Sequence, residues 1–201
     1  MNGNPYDIAF WQDHIRGENR VATHIGGRIY EFLCPSRLVD VGCGPGLMLH
    51  GMAAAGAKCL VGVDSDEGQK VWESLLPIHG DFSFVPYDLR GLAETTDPLA
   101  RALGPADVAM STEVAEHLSP KAGDGLVELL CRTSDTVVWS AATPGQGGTD
   151  HINEQPVEYW RERFTARGFR LSAEDTLKLR AKLGNGLPAW YRRILIYRRK
   201  V

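Results

Sequence analysis

The length and charge of the chain set the first limits. With 201 residues it can form one domain with a sizeable buried core. The formal net charge of -3 argues against a general attraction to nucleic acid or to an anionic membrane. We see no basic-then-apolar leader and no run of about 18 apolar residues, so we expect neither secretion nor a membrane span. The cysteines lack C-x-x-C spacing, and we expect a reduced, cytoplasmic setting.

The first part of the chain is amphipathic. Residues 5–35 mix aromatic and apolar positions with polar ones, which is compatible with one or two helices. The simplest interpretation is that these helices pack on the rest of the domain.

Residues 38–46 form the most informative stretch. An apolar run containing Asp40 is followed by Gly42, Gly44 and Gly46, and then by an apolar helical pattern from Leu47. This order predicts a strand, a tight turn and a helix. Glycines allow backbone angles that side chains forbid, and they let a ligand approach the main chain closely. The amides at the start of the helix favour electron-rich ligand atoms.

Two features of this stretch argue against a dinucleotide. The dinucleotide fingerprint is G-x-G-x-x-G, whereas Leu47 stands where its third glycine would fall. Asp40 would repel a pyrophosphate but could pair with a ligand ammonium group. Asp64 ends a second strand-like run, Cys59 to Asp64, where its carboxylate could accept hydrogen bonds from a ribose diol.

Strand-like and helix-like segments alternate along the remainder, which predicts a mostly parallel sheet covered on both faces. Further strands are expected at 82–85, 108–111, 137–141, 169–172 and 191–197. Helices are expected at 47–55, at 66–76, around Leu126 to Leu130, and at 156–167. Residues 90–105 are ambiguous.

Four motifs in order resemble those of the class I S-adenosylmethionine-dependent methyltransferases. They are Asp40-x-Gly42-x-Gly44-x-Gly46, Asp64, Asp88 after the third strand, and Glu113-x-x-Glu116-His117-Leu118 after the fourth. The resemblance implies an α/β, Rossmann-like, doubly wound sheet of seven strands with helices on both faces. Its strand order would be 3-2-1-4-5-7-6, with strand 7 antiparallel.

The resemblance also implies a cofactor, S-adenosylmethionine, and a role for each motif. Asp40 would serve the methionine ammonium group, and Gly42, Gly44 and Gly46 would line the methionine and the ribose. Asp64 would hold the ribose hydroxyls, and Asp88 with the Leu89 amide would bind adenine. Ser65 and Glu113 are the remaining cofactor-binding residues that we expect.

We expect one methyltransferase domain over residues 1–201. Related enzymes often place an N-terminal helix over the cofactor, so residues 1–35 are interpreted as a lid or cap that includes Tyr6, Trp11 and His14. Residues 175–190 are interpreted as an insertion that can reach the acceptor.

Two histidines are candidate catalytic bases, because the unperturbed pKa of histidine, about 6.5, suits proton removal at neutral pH. They are His117 and His151. We prefer His151, since it follows Gly147 and Gly148 on a polar loop. The alternative is that His151 and Asn153 only shape the acceptor pocket or connect loops.

A metal site is the competing interpretation of this region. Glu113, Glu116, His117 and His151 repeat, in order, the arrangement with which Hen1-type small-RNA 2'-O-methyltransferases bind a divalent metal. Such a set could hold Mg or Mn. The same E-x-x-E-H-L pattern also resembles many quinone and small-molecule methyltransferases, in which the glutamates serve the helix start. We therefore assign no metal.

The acceptor is the least defined element. Residues 151–160 and 188–194 resemble a bacterial subgroup found with carbohydrate and natural-product pathways. We expect O-methylation of a small-molecule hydroxyl, on a sugar, a nucleoside-like compound or a secondary metabolite. The alternatives are an RNA 2'-O-methyltransferase and a non-catalytic S-adenosylmethionine-binding partner protein. The basic residues near the end are interpreted as solvated strand ends, so we expect no nucleic-acid partner. A homodimer is left open.

Overall fold

A single sheet runs through the part of the chain that the structure describes. The computed structural model describes residues 8–75, 81–188 and 190–200, with side chains for 20–72, 81–188 and 190–200. The strands are β1 (Arg37–Val41), β2 (Cys59–Asp64), β3 (Asp81–Pro86), β4 (Val108–Thr112), β5 (Thr136–Ser140), β6 (Phe169–Leu171) and β7 (Leu195–Arg199). The helices are α1 (Ile8–Leu33), α2 (Leu47–Ala54), α3 (Asp66–Leu75), α4 (Asp97–Leu103), α5 (Pro120–Thr133), α6 (Val157–Ala166) and α7 (Ala173–Leu183).

The seven strands lie in the order β3-β2-β1-β4-β5-β7-β6. The pairs β1–β2, β1–β4, β2–β3 and β4–β5 are parallel. β7 runs antiparallel to both of its neighbours, β5 and β6. The strand order and the reversed seventh strand that the resemblance implied are thus confirmed.

Helices cover both faces of the sheet. Alternate residues of a strand point to opposite faces, and in β1 the buried Val39 joins one core cluster while Leu38 joins the other. The Val39 side is covered mainly by α4, α5 and α6, and the Leu38 side mainly by α1, α2 and α7. Strands buried on both faces read as continuous apolar runs, which is why β1, β2, β4 and β5 were recognisable.

The first two helices approach each other unusually closely. A Cβ added at Gly26 would lie 1.9 Å from the carbonyl oxygen of Met48, and one at Gly51 would lie 1.8 Å from that of Thr23. No real Cβ atom sits so near a backbone oxygen. Glycine at both positions therefore allows the backbones of α1 and α2 to meet, directly behind the turn that precedes α2.

The structure differs from two sequence-based expectations and assigns one stretch that was ambiguous. Residues 173–183 form α7, whose Leu179 and Leu183 are buried against the sheet, so the first part of the expected insertion 175–190 covers the core. Tyr191–Arg193 is a 3-10 turn and β7 begins only at Leu195. The ambiguous stretch 90–105 contains most of a 3-10 turn, Leu89–Ala93, and all of α4.

The lid expectation remains a prediction. Tyr6 lies outside the described residues, and of Trp11 and His14 only the helical backbone of α1 is described. Among the described helices, none combines the length and the apolar character that spanning a bilayer requires.

Candidate active site

The glycine turn lies at the carboxyl end of β1, beside that of β2. Gly42, Gly44 and Gly46 all have positive φ values, 82°, 53° and 75°, which side-chain-bearing residues rarely adopt. The N–H of Gly42 donates to the Val63 carbonyl over 2.7 Å, and this bond fastens the turn to β2. The turn leads directly into α2, whose first amides face the same edge of the sheet.

Asp64 fixes this turn through its side chain. One carboxylate oxygen accepts the Gly44 N–H over 2.8 Å, and the other accepts the N–H of Ser65 over 2.7 Å. Burial raises the pKa of Asp64, while these two hydrogen bonds oppose the rise. A carboxylate oxygen can accept more than one hydrogen bond, so Asp64 retains acceptor capacity for a ligand.

Asp40 is the most unusual group of the turn. Its residue is only 3% exposed, and among the described residues its Oδ1 has no hydrogen-bond partner. Burial, and secondly the negative charge of Asp64, raise the pKa of Asp40 to about 8. A buried carboxylate without a partner is costly. Asp40 therefore favours either a bound proton or a cationic ligand group beside its carboxylate.

Asp88 lies at the outer end of this edge, after β3. It caps the 3-10 turn by accepting the Arg90 N–H over 3.0 Å, and its side chain pairs with the Arg90 guanidinium at 2.7 Å. The hydrogen bonds from Arg90 lower the pKa of Asp88. The Asp88 side chain is 59% exposed, so an incoming ligand can reach it, as it can the Leu89 amide beside it.

Glu113 follows β4 and faces the neighbouring strand. Its φ of 55° is unusual for a residue with a side chain. Its oxygens accept from Ser140 Oγ at 2.8 Å and from Gln146 Nε2 at 2.9 Å, and Arg193 donates to the other end of the Gln146 amide. Burial raises the pKa of Glu113. In this arrangement Glu113 joins the rim loops to β5, while its expected cofactor contact stays a prediction.

Glu116, His117 and His151 meet beside Glu113. One ligand atom from each lies within 4.8 Å of the others, and the two imidazoles cross edge to face with their centroids 4.9 Å apart. Glu116 is fully buried, and neither carboxylate oxygen has a hydrogen-bond partner among the described residues. Burial, and then the charge of Glu113, raise the pKa of Glu116 to about 8. Burial lowers the pKa of His117.

Two side chains that the sequence analysis did not single out shape this rim. Glu154 accepts from His151 Nδ1 over 2.8 Å, and Gln146 binds Glu113 as described above. Glu154 lies three residues after His151 in the same polar loop. Its proximity in sequence to a candidate base could therefore have identified it. For Gln146 we find no sequence signal, because its partners come from distant segments.

Asn153 connects loops, as one of the earlier alternatives held. It is buried, its N–H donates to the Glu116 carbonyl at 2.9 Å, and its Nδ2 donates to the Ala115 carbonyl at 3.2 Å. The Ile152 N–H shares the Glu116 carbonyl. These bonds hold the loop that carries His151 against the segment that carries Glu116.

Proteins similar to this chain in sequence or in fold include methyltransferases. No family model matches the chain. It is 36% identical over 118 residues to the ubiquinone biosynthesis O-methyltransferase of Sinorhizobium medicae, a match that covers 58% of this chain and 43% of that protein. The aligned region is thus less than half the length of this curated relative.

Two solved structures show the same architecture. An O-methyltransferase from neocarzinostatin biosynthesis, in complex with S-adenosyl-L-homocysteine and 1,4-dihydroxy-2-naphthoic acid, superposes with a TM-score of 0.68 at 15% identity, over 95% of this chain and 57% of that one. Magnesium protoporphyrin IX methyltransferase from Synechocystis PCC 6803, with bound SAH, superposes with a TM-score of 0.62 at 21% identity, over 100% and 90%. This chain thus has the fold of these methyltransferases and a local sequence similarity to a curated O-methyltransferase.

Proposed function

We propose that the protein binds S-adenosylmethionine and transfers its methyl group to a hydroxyl of a small molecule. The observation that carries the proposal is Asp40, at the carboxyl end of β1 beside the glycine turn, where one buried carboxylate oxygen has no hydrogen-bond partner among the described residues. An ammonium group is the complement that such an acid favours. The methionine end of the cofactor supplies one.

The neighbouring groups would receive the rest of the cofactor. The backbone of the glycine turn and the first amides of α2 would receive the methionine and the ribose. Asp64, held by Gly44 and Ser65, would accept the ribose hydroxyls in a fixed orientation. Asp88 and the Leu89 amide, at the exposed end of β3, would bind the adenine edge.

The acceptor would lie at the rim formed by Glu113, His117 and His151. Its hydroxyl oxygen forms a bond to the methyl carbon while the carbon–sulfur bond breaks and its electron pair stays on sulfur. The hydroxyl proton passes to an imidazole, for which we favour His151. Ile152, 67% exposed beside it, offers an apolar surface that suits a ring-bearing acceptor. The O-methyltransferase names of the relative and of a structural neighbour support oxygen as the acceptor atom.

The first experiment is calorimetric titration of the protein with S-adenosylmethionine and S-adenosylhomocysteine. We expect saturable binding that Asp64→Ala abolishes and that Asp135→Asn, a change at a remote surface carboxylate paired with Arg199, leaves intact. No binding by the folded wild-type protein would contradict the proposal.

A second experiment separates an enzyme from a non-catalytic binding protein. His151→Ala should lose methyl transfer to small phenols or sugars while it retains its affinity for the cofactor, because His151 lies on the acceptor side. Unchanged turnover would show that His151 is not the base.

A second candidate is metal-assisted transfer, including transfer to an RNA 2'-hydroxyl. The specific observation in its favour is the cluster of Glu116, His117 and His151, in which the Glu116 oxygens have no hydrogen-bond partner within the described part of the chain. Ligands about 2.1 Å from an ion lie at most about 4.2 Å apart, so the spread of up to 4.8 Å would contract on binding. One carboxylate and two imidazoles suit Mn or Zn better than Mg. A bound ion would lower the pKa of an acceptor hydroxyl.

A further inference from the structure

The Glu154 carboxylate collects three donors. It accepts the Gly145 N–H at 2.7 Å, the Gly147 N–H at 2.6 Å and the ring of His151 at Nδ1, 2.8 Å away. The side chains of His151 and Glu154 are only 11% and 17% exposed. Three hydrogen bonds and low exposure hold the Glu154 side chain in one orientation. Glu154 in turn fixes the orientation of the His151 ring.

The chemistry of a carboxylate decides which ring nitrogen carries the proton. An ionised carboxylate only accepts hydrogen bonds, and Glu154 already accepts two backbone N–H groups beside the ring of His151. In the neutral imidazole, Nδ1 must then be the donor, and the lone pair must lie on Nε2. This is the tautomer that a proton acceptor at Nε2 needs.

Nε2 of His151 faces Gly148. A Cβ added at Gly148 would lie 2.4 Å from Nε2 of His151, so this edge of the ring abuts a residue without a side chain. Any larger residue at Gly148 would cover the nitrogen. The His117 ring meets the His151 ring edge to face.

We propose that Glu154 is a positioning residue, which holds His151 as the Nδ1–H tautomer and presents Nε2 to the acceptor hydroxyl. The inference rests on the proposed function in one respect, namely that His151 receives the acceptor proton. It deepens that function by adding a residue that acts only through His151. The competing explanation is a structural one, in which Glu154 merely holds the loop amides of Gly145 and Gly147.

Nitrogen-15 NMR of histidine-labelled protein tests the inference without any need for activity. The six histidines are recorded at about pH 8.5, two units above the ordinary histidine pKa, and His151→Asn identifies the signals of His151. The wild type should show the Nδ1–H tautomer. Glu154→Gln, which keeps the size of the side chain but can also donate to Nδ1, should shift His151 toward the Nε2–H form. Wild-type His151 as Nε2–H or as imidazolium, or a tautomer unchanged in Glu154→Gln, would overturn the proposal.

The second readout is the kinetics of methyl transfer to a small phenol or sugar that the wild-type protein methylates. Glu154→Gln should lower kcat by about 10- to 1,000-fold, which does not exceed what a general base itself contributes, while the KM for the cofactor stays within twofold. Glu128→Gln, which removes another paired carboxylate on α5, is the control and should leave kcat unchanged. An equal loss in both variants, or a loss confined to KM, would overturn the positioning role. If no acceptor is methylated, the proposed function fails, and the NMR result still decides the tautomer.

Discussion

The Asp64 carboxylate lies close enough to Asp40 for its negative charge to add to the effect of burial and to raise the pKa of Asp40 to about 8. The two acids respond differently, because Asp64 accepts two backbone N–H groups whereas Oδ1 of Asp40 has no partner among the described residues. Asp40 therefore titrates near neutral pH in the free protein. Binding or release of the Asp40 proton can therefore be used to follow events at the ligand-binding site.

Asp40→Asn should change how stability depends on pH. The folded state holds the Asp40 proton up to about pH 8, whereas the unfolded chain releases it near pH 4. Stability is therefore lost as pH rises across this window. Since one pKa unit corresponds to about 1.4 kcal/mol, the asparagine variant should gain up to about 5 kcal/mol in stability relative to the wild type between pH 4 and pH 8, and the two should converge near pH 4.

Urea unfolding at pH 5, 6.5 and 8 measures this difference. Glu113 and Glu116 also have raised pKa values and contribute equally to both proteins, whereas Asp64, whose charge is coupled to that of Asp40, is part of the measured difference. Asp135→Asn, at an exposed carboxylate, is the control for loss of charge. A constant difference between Asp40→Asn and the wild type at all three pH values would contradict the prediction.

Cofactor binding should release a proton. The ammonium group of S-adenosylmethionine favours the ionised form of Asp40, so affinity should rise between pH 6 and pH 8, by at most about tenfold per pH unit. Calorimetry in two buffers of different ionisation enthalpy measures the proton directly. 5'-Methylthioadenosine lacks the amino-acid end of the cofactor, so its binding should not release the Asp40 proton. Equal proton release with both ligands would remove Asp40 from the ammonium site.

The features that were predictable from sequence are those set by local rules. Glycines with positive φ at 42, 44 and 46 and a carboxylate at the end of β2 follow from short-range pattern and turn chemistry. Asp64 was expected to face a ribose, yet its two bonds to backbone N–H groups were not foreseen, because they depend on how β2 meets the turn.

The features that were missed depend on distant contacts. α7 buries Thr176, Leu179 and Leu183, a narrow stripe at helical spacing that glycines and a proline just beyond it obscured. The link between Glu113 and Gln146 joins residues 33 positions apart. No local pattern could indicate it.

Metal-assisted transfer makes a prediction that distinguishes the two glutamates of the E-x-x-E-H motif. In the part of the chain that the structure describes, the carboxylate oxygens of Glu116 have no hydrogen-bond partner, whereas those of Glu113 accept from Ser140 and Gln146. Mn²⁺ binding, followed by electron paramagnetic resonance, should therefore be lost in Glu116→Gln and kept in Glu113→Gln. Methyl transfer should stop in EDTA and return with Mn²⁺. Full activity after exhaustive EDTA treatment, without Mn²⁺ binding, would remove this candidate.

The crossing of α1 and α2 should make Gly51→Ala destabilising, against its helix propensity. Alanine is favoured over glycine inside a helix by about 1 kcal/mol, but the new Cβ would lie 1.8 Å from the Thr23 carbonyl oxygen. A backbone atom cannot turn aside as a side chain does, so the helices must separate. We expect a net loss of roughly 1–3 kcal/mol, which is typical of overpacking.

Gly27→Ala is the matched control on the same crossing. Its Cβ would approach the Gly51 carbonyl oxygen only to 3.2 Å, which a shift of a few tenths of an ångström relieves, so its stability should stay close to that of the wild type. Urea unfolding compares the two variants. Because Gly46 of the glycine turn is the N-cap of α2, Gly51→Ala should also weaken S-adenosylmethionine binding, while Gly27→Ala should not. Equal stability of the two variants would show that α1 and α2 do not meet at this distance.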